Sequence, residues 1–166
     1  MLNLGKLHFG GDYNPEQWPK DVWKQDIELM QKAGVNLVSL GIFSWAKIER
    51  KDGEYHFDWL DEAMQLLHDG GISIDMATAT ASPPAWLVNA HPEVQPVNFD
   101  GVRLSHGGRQ HYCAASDVYR EKASALVDQI ASRYANHPAV VMWHVNNEYG
   151  CHAPYCYCDN SRKAFI

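Results

Sequence analysis

Asn147 and Glu148 close the segment Met142-Trp143-His144-Val145-Asn146-Asn147-Glu148-Tyr149-Gly150, directly after an apolar run rich in β-forming residues. A parallel strand ending there would release the pair into a cleft. A carboxyl group at such a mouth, set among protein dipoles and partly shielded from water, can be tuned to act as a general acid. The adjacent asparagine could orient a substrate hydroxyl. A Glu at a strand end also serves as a loop cap or an ion-pair partner, so the surrounding elements have to decide between the readings.

Those elements can be read from apolar spacing and punctuation. Residues 7–12 read as a short first strand opening into the polar and aromatic turn Tyr13 to Trp18. Pro19 suits the first turn of a helix in which Val22, Trp23, Ile27, Met30 and Ala33 recur at helical spacing, and Gly34 can take the left-handed exit conformation. Val35 to Leu40 is nearly all apolar, as expected of a strand covered on both faces. Asp58 is placed to cap a second helix with Leu60, Ala63, Met64 and Leu67 on one face, ending at Gly70-Gly71. Ile72 to Ala77 reads as a third strand. After a long insertion, Ser116 caps a helix carrying Tyr119, Ala123, Leu126, Val127, Ile130 and Tyr134 toward the core, stopped by His137-Pro138. Val140 to Val145 is the fourth strand.

This alternation implies an α/β fold with a parallel sheet, either doubly wound or closed into a barrel. The first turn, Gly10-Gly11-Asp12-Tyr13-Asn14-Pro15, lacks G-x-G-x-x-G spacing, which argues against a dinucleotide site. Polar and aromatic residues instead gather after each strand: Asp12-Tyr13-Asn14, Ser44-Trp45, Ser82-Pro83-Pro84 and Asn147-Glu148. A (β/α)8 barrel keeps its chemistry on that face. Such a barrel takes about 250 residues, and this chain of 166 reaches its fourth strand only near its end. Residues 1–166 are therefore expected to be the N-terminal part of a TIM-barrel domain, roughly its first four βα units. Ser161 to Ile166 reads as the start of a fourth helix, and a half barrel would leave two strand edges and an inner sheet face open.

Composition narrows the function classes. The chain is 46% hydrophobic and 20% charged, ordinary for a globular domain, with net charge −6 and no Lys/Arg cluster to follow a phosphate backbone. Nucleic acid is not an expected partner. Met1 to Asp12 lacks a basic segment followed by a long apolar one, and no stretch approaches the roughly 20 apolar residues of a membrane helix. A cytoplasmic protein without membrane contact is expected. Six Trp and eight Tyr are prominent, several near polar residues at strand ends, where sugar-binding clefts use such rings, as core packing does elsewhere.

Five spaced motifs together resemble glycoside hydrolase family 42, the β-galactosidases. They are Phe9-Gly-Gly-Asp-Tyr-Asn-Pro-Glu-Gln-Trp18, Gly41-Ile-Phe-Ser-Trp45 with Asp58-Trp-Leu-Asp61, Thr80-Ala-Ser-Pro-Pro-Ala-Trp-Leu87, Arg109-Gln-His-Tyr-Cys113, and Trp143-His-Val-Asn-Asn-Glu-Tyr-Gly150. The resemblance implies a (β/α)8 barrel hydrolysing terminal β-D-galactosyl residues with retention, with an acid/base Glu ending strand four and a nucleophile Glu ending strand seven. Glu148 matches the first; the second lies beyond Ile166, so these residues alone are expected to be inactive. Asn147 matches the residue that bonds the sugar near its 2-hydroxyl, and Arg109 matches the galactose-binding arginine, whose planar fork suits vicinal hydroxyls. Arg109 could instead brace the loop from Pro83 to Cys113. Trp45, Trp86, Trp143, His144, Tyr13, Asn14 and Glu16 fit either the cleft or the core. The rival readings are a retaining glycosidase of the same barrel with another sugar, a half barrel that binds galactose without cleaving it, and an assembly of two separate halves. A trimer is implied by the resemblance alone.

Cys113, Cys156 and Cys158 resemble three of the four ligands of a structural zinc site in the family; the fourth position is Ser161. A hydroxyl substitutes poorly for thiolate in a closed tetrahedral site, and Cys151 has the wrong offset. Free thiols are therefore the favoured reading, disulfides are not expected, and no cofactor is required for a two-carboxylate reaction.

Overall fold

The computed structural model describes residues 7–166; the opening residues of the stretch read above for a leader lie outside them. Strand β1 (Gly10–Tyr13) passes through a 3-10 turn at Pro15–Gln17 into helix α1 (Lys20–Ala33). The strand lies later than residues 7–12 because its pairing with β2 (Leu37–Leu40) sets its limits, with Gly10 opposite Leu37 and Tyr13 opposite Leu40. Pro19 stands at the N-cap of α1 rather than within its first turn, and Gly34 ends the helix at φ 78° with its N–H returned to Gln31 and Met30.

A one-turn helix α2 (Trp45–Ile48) and a small hairpin, β3 (Glu49–Lys51) with β4 (Glu54–Tyr55), follow β2. In α3 (Asp58–Asp69) the cap is Phe57, and Asp58 is the first helical residue without a capping hydrogen bond. Its carboxylate lies in the first turn, where the positive end of the helix dipole favours it. Strand β5 (Ser73–Ala77), short helix α4 (Ala85–Ala90) and long helix α5 (Asp117–Tyr134) come next, the last capped by Ser116, whose Oγ accepts the Tyr119 N–H at 3.3 Å. Strand β6 (Val140–His144) and helix α6 (Asp159–Phe165) complete the order.

The main sheet runs β1-β2-β5-β6, every pair parallel. Side chains alternate across it. Tyr13, Val38, Leu40, Ile74 and Met76 point to one face and are buried in a single core with Trp23 and Ile27 of α1, Leu60, Met64 and Leu67 of α3, and Leu126 and Ile130 of α5. Each such aliphatic side chain contributes about 1.5–3 kcal/mol on burial. Val127 is only half-buried.

The opposite face is polar. Asp12, Ser39 and Asp75 form one row across β1, β2 and β5. Ser39 Oγ donates to Asp75 Oδ2 at 3.0 Å, and His144 Nδ1 lies 3.5 Å from the same oxygen. Strand β2 is thus covered on one face only: Val38 and Leu40 are buried, while Leu37 and Ser39 are half open. Core helices on one face and a polar row on the other are the arrangement of a barrel wall, whereas a doubly wound sheet carries helices on both.

Candidate active site

The connections leaving β2, β5 and β6 meet beyond the C-terminal ends of the strands. After β6 the chain turns sharply, and Glu148 takes φ 44°, a left-handed conformation that costs a non-glycine residue energy and is held here by its surroundings. Asn147 is buried at 7% exposure, while the Glu148 side chain is about half open. Asn147 Nδ2 lies 3.4 Å from Glu148 Oε2 and donates toward it.

Arg109 arrives from the long connection between α4 and α5. The neighbouring Gln110 has φ 57° and donates its N–H to Ala81 O at 2.8 Å, which fastens the loop to the connection that follows β5. The Arg109 guanidinium lies over the Phe43 ring, 4.7 Å from its centroid, and Nη1 is 3.9 Å from Glu148 Oε2. Glu148, Asn147 and Arg109, chosen on sequence, therefore converge on one place. His152 joins them unannounced, its Nε2 3.1 Å from Glu148 Oε2. It reaches back because its own φ is 40°, and loop geometry of that kind leaves no periodic trace in a sequence.

Several other polar and aromatic residues sort by burial. Trp45 is fully buried with its indole N–H donated to Glu49 at 2.7 Å, and Trp86 donates to Glu49 O at 2.8 Å, so both support the scaffold. Tyr13 is buried with its hydroxyl on Asp26. Trp143 alternates to the helix-facing side of β6 and does not face the cleft, whereas His144 lies on the polar side with Asp75. Asn14 stands at the N-cap position of the 3-10 turn without a side-chain capping bond, and Glu16 within it lends its carbonyl to Lys47.

Beside this cleft the sulfur atoms of Cys113, Cys156 and Cys158 all lie within 4.8 Å of one another. Ser161 Oγ is 3.2 Å from Cys113 Sγ and 3.7 Å from Cys158 Sγ, and so occupies a fourth corner. Cys151 is exposed and stands outside the group. Three thiols converging in this way fit three corners of a tetrahedral zinc site, with a hydroxyl at the fourth. Burial holds the Cys113 thiol above its ordinary value. Burial also opposes ionisation of Cys158, but the Ser161 backbone N–H and the surrounding thiols and hydroxyl outweigh it and lower that thiol.

The glycoside hydrolase 42 β-galactosidase profile matches residues 12–166. The chain belongs to this family. Within it, the family 42 chain is 56% identical over 160 residues to β-galactosidase LacZ of Heyndrickxia coagulans, covering 96% of this chain and 24% of that protein. It is 54% identical over 165 residues to β-galactosidase bgaB of Geobacillus kaustophilus, covering 99% and 25%. It superposes on the crystal structure of a β-galactosidase from Bacillus circulans sp. alkalophilus with a TM-score of 0.93 at 42% identity, over 99% of this chain and 24% of that one. The chain spans about a quarter of the length of the curated relatives it matches. With four parallel strands and their core helices on one face, it is the N-terminal part of a (β/α)8 barrel, roughly its first four βα units. No helix among the described residues is long and apolar enough to cross a membrane.

Proposed function

We propose that the polypeptide carrying this family 42 chain hydrolyses terminal non-reducing β-D-galactosyl residues with retention of configuration. The convergence of Glu148, Asn147 and Arg109 at the strand ends carries the reading. Glu148 protonates the glycosidic oxygen as a second carboxylate, supplied by a later barrel strand, attacks the anomeric carbon. Glu148 then takes a proton from the water that releases galactose. Retention requires the two carboxyls about 5–5.5 Å apart, without room for a water between them. Arg109 presents its donor fork to sugar hydroxyls, and Asn147 bonds the 2-hydroxyl, a contact that strengthens as positive charge develops on the ring.

Two carboxylates perform this chemistry without a cofactor. The thiol cluster belongs to the scaffold: Cys113, Cys156 and Cys158 would hold zinc, leaving its fourth position to Ser161 or water. That would tie the segment bearing Arg109 to the one after Glu148. The reading also includes a trimer, which rests on the family resemblance, and a cytoplasmic setting, which rests on the sequence reading above.

The test is product analysis of full-length enzyme carrying Glu148→Ala, given an activated aryl β-galactoside with and without azide. β-Galactosyl azide is expected, because a small anion deglycosylates the intermediate without a base. Ordinary hydrolysis at an undiminished rate would remove Glu148 from the chemistry.

A further inference from the structure

Asn146 precedes the proposed pair and has no part in the reaction as described, yet both ends of its side chain are engaged. Its Nδ2 donates to the Tyr112 hydroxyl at 2.7 Å, and its Oδ1 accepts the backbone N–H of Asn147, also at 2.7 Å. The amide is thus a strut between Tyr112 and the peptide that carries Asn147. Tyr112 is itself held: its ring stacks on Tyr119 with centroids 4.1 Å apart and planes 7° from parallel. Tyr119 is buried, donates its hydroxyl to Thr80 O at 3.0 Å, and packs against the fully buried Trp45. A rigid path therefore runs from the core through two stacked rings and one amide to Asn147.

We propose that Tyr112 and Asn146 are positioning residues that fix Asn147 toward the substrate 2-hydroxyl. The proposal rests on the reading of Asn147 given above. The backbone explains the need for such a strut. The next residue, Glu148, is left-handed, so the turn is not one the chain adopts unaided, and hydrogen bonds from outside must choose it. Asn146 supplies what such a strut requires, a donor and an acceptor on one short planar group. An apolar residue at 146 would leave the Asn147 N–H and the Tyr112 hydroxyl without these partners, in a position where Asn147 is 93% buried. A misplacement of even about 1 Å at a group that acts on the transition state is felt mainly in turnover.

The test compares an aryl β-galactoside with its 2-deoxy analogue in the full-length enzyme carrying Tyr112→Phe, Asn146→Ala or Asn147→Ala. Tyr112→Phe keeps the stacked ring and removes only the oxygen, so the fold is preserved. Expected is a fall in kcat on the galactoside of roughly 10-fold, with KM little changed. On the 2-deoxy analogue, kcat should stay within about twofold of wild type. Asn146→Ala should give the same selective loss, and Asn147→Ala a larger one. Equal losses on both substrates for Tyr112→Phe and Asn146→Ala, with a selective loss for Asn147→Ala, would show that the strut only stabilises the fold. An unselective Asn147→Ala would overturn the reading of Asn147 and the positioning role with it.

Discussion

Arg109 Nη1 stands 3.9 Å from Glu148 Oε2, with the two side chains 54% and 49% exposed. At that exposure the pair itself contributes about 1 kcal/mol or less. Its importance lies in geometry: the guanidinium rests over the ring of Phe43 and brings Nη1 beside the carboxylate. Arg109→Ala is expected to lower kcat/KM on an aryl β-galactoside roughly 10- to 100-fold, the loss of charged hydrogen bonds worth about 1.5–3 kcal/mol. Arg109→Lys should recover little, because a point charge does not reproduce a planar fork. A lysine variant at wild-type kcat/KM would reduce Arg109 to a brace for its loop.

His152 touches the same Glu148 oxygen at 3.1 Å, but its side chain is 40% exposed and sits in an irregular loop. A contact at that exposure contributes below about 1 kcal/mol, so His152→Ala should alter kcat/KM less than about fivefold. Glu148→Gln, which removes the transferable proton, should cost about 10²–10⁴-fold with a poor leaving group. Steady-state kinetics on one substrate separates them, and a His152→Ala loss matching that of Glu148→Gln would make the imidazole part of the proton transfer.

The order of strands and helices was legible because each element carries its own signal: a left-handed Gly34, a capping Ser116, apolar faces at helical spacing. What stayed hidden is held by contacts distant in sequence or by irregular backbone. The hairpin after α2 forms around Glu49, a carboxylate only 1% exposed that accepts from the Trp45 indole at 2.7 Å and the Gly53 N–H at 2.8 Å. No apolar pattern announces it. Glu148 and Asn147 could be picked out as a strand-end pair from the residues alone, whereas Arg109 entered through a family resemblance. That His152 reaches the same carboxylate follows from two left-handed residues, which sequence spacing does not encode.

The Asp61 carboxylate joins α3 to α5. It accepts from Arg133 Nε at 2.8 Å and from the Tyr134 hydroxyl at 2.7 Å, and Arg133 Nη2 reaches its other oxygen. Burial pushes the Asp61 carboxyl up, but these hydrogen bonds and the guanidinium charge outweigh it and hold it below its ordinary value. A depressed carboxyl stabilises the fold above its unfolded value, about 3.9, and that contribution is lost as pH falls through the lower folded value. Both partners are more than a third exposed, so the contribution is about 1 kcal/mol after solvent screening. Asp61→Asn should therefore lower the denaturation midpoint at pH 7 and narrow its gap to wild type as pH drops below about 4. A gap that stays constant with pH would show that the charge contributes nothing.

Ser161 is the residue on which metal retention turns. Its hydroxyl lies 3.2 Å from Cys113 Sγ, where a thiolate would close the tetrahedron. Zinc requires its thiols deprotonated, so binding displaces protons and weakens as pH falls. Burial makes Cys113 harder to ionise, while Cys158 is held below its ordinary value by the Ser161 N–H and the neighbouring thiols and hydroxyl despite its burial. With three thiolates and a weak fourth donor, the wild-type protein should surrender zinc to a chromogenic chelator readily. Ser161→Cys should retain about one zinc per chain under the same treatment and gain thermal stability that chelation at low pH removes. Equal retention by wild type and Ser161→Cys would mean that the hydroxyl or a water completes the site as well as a thiolate does.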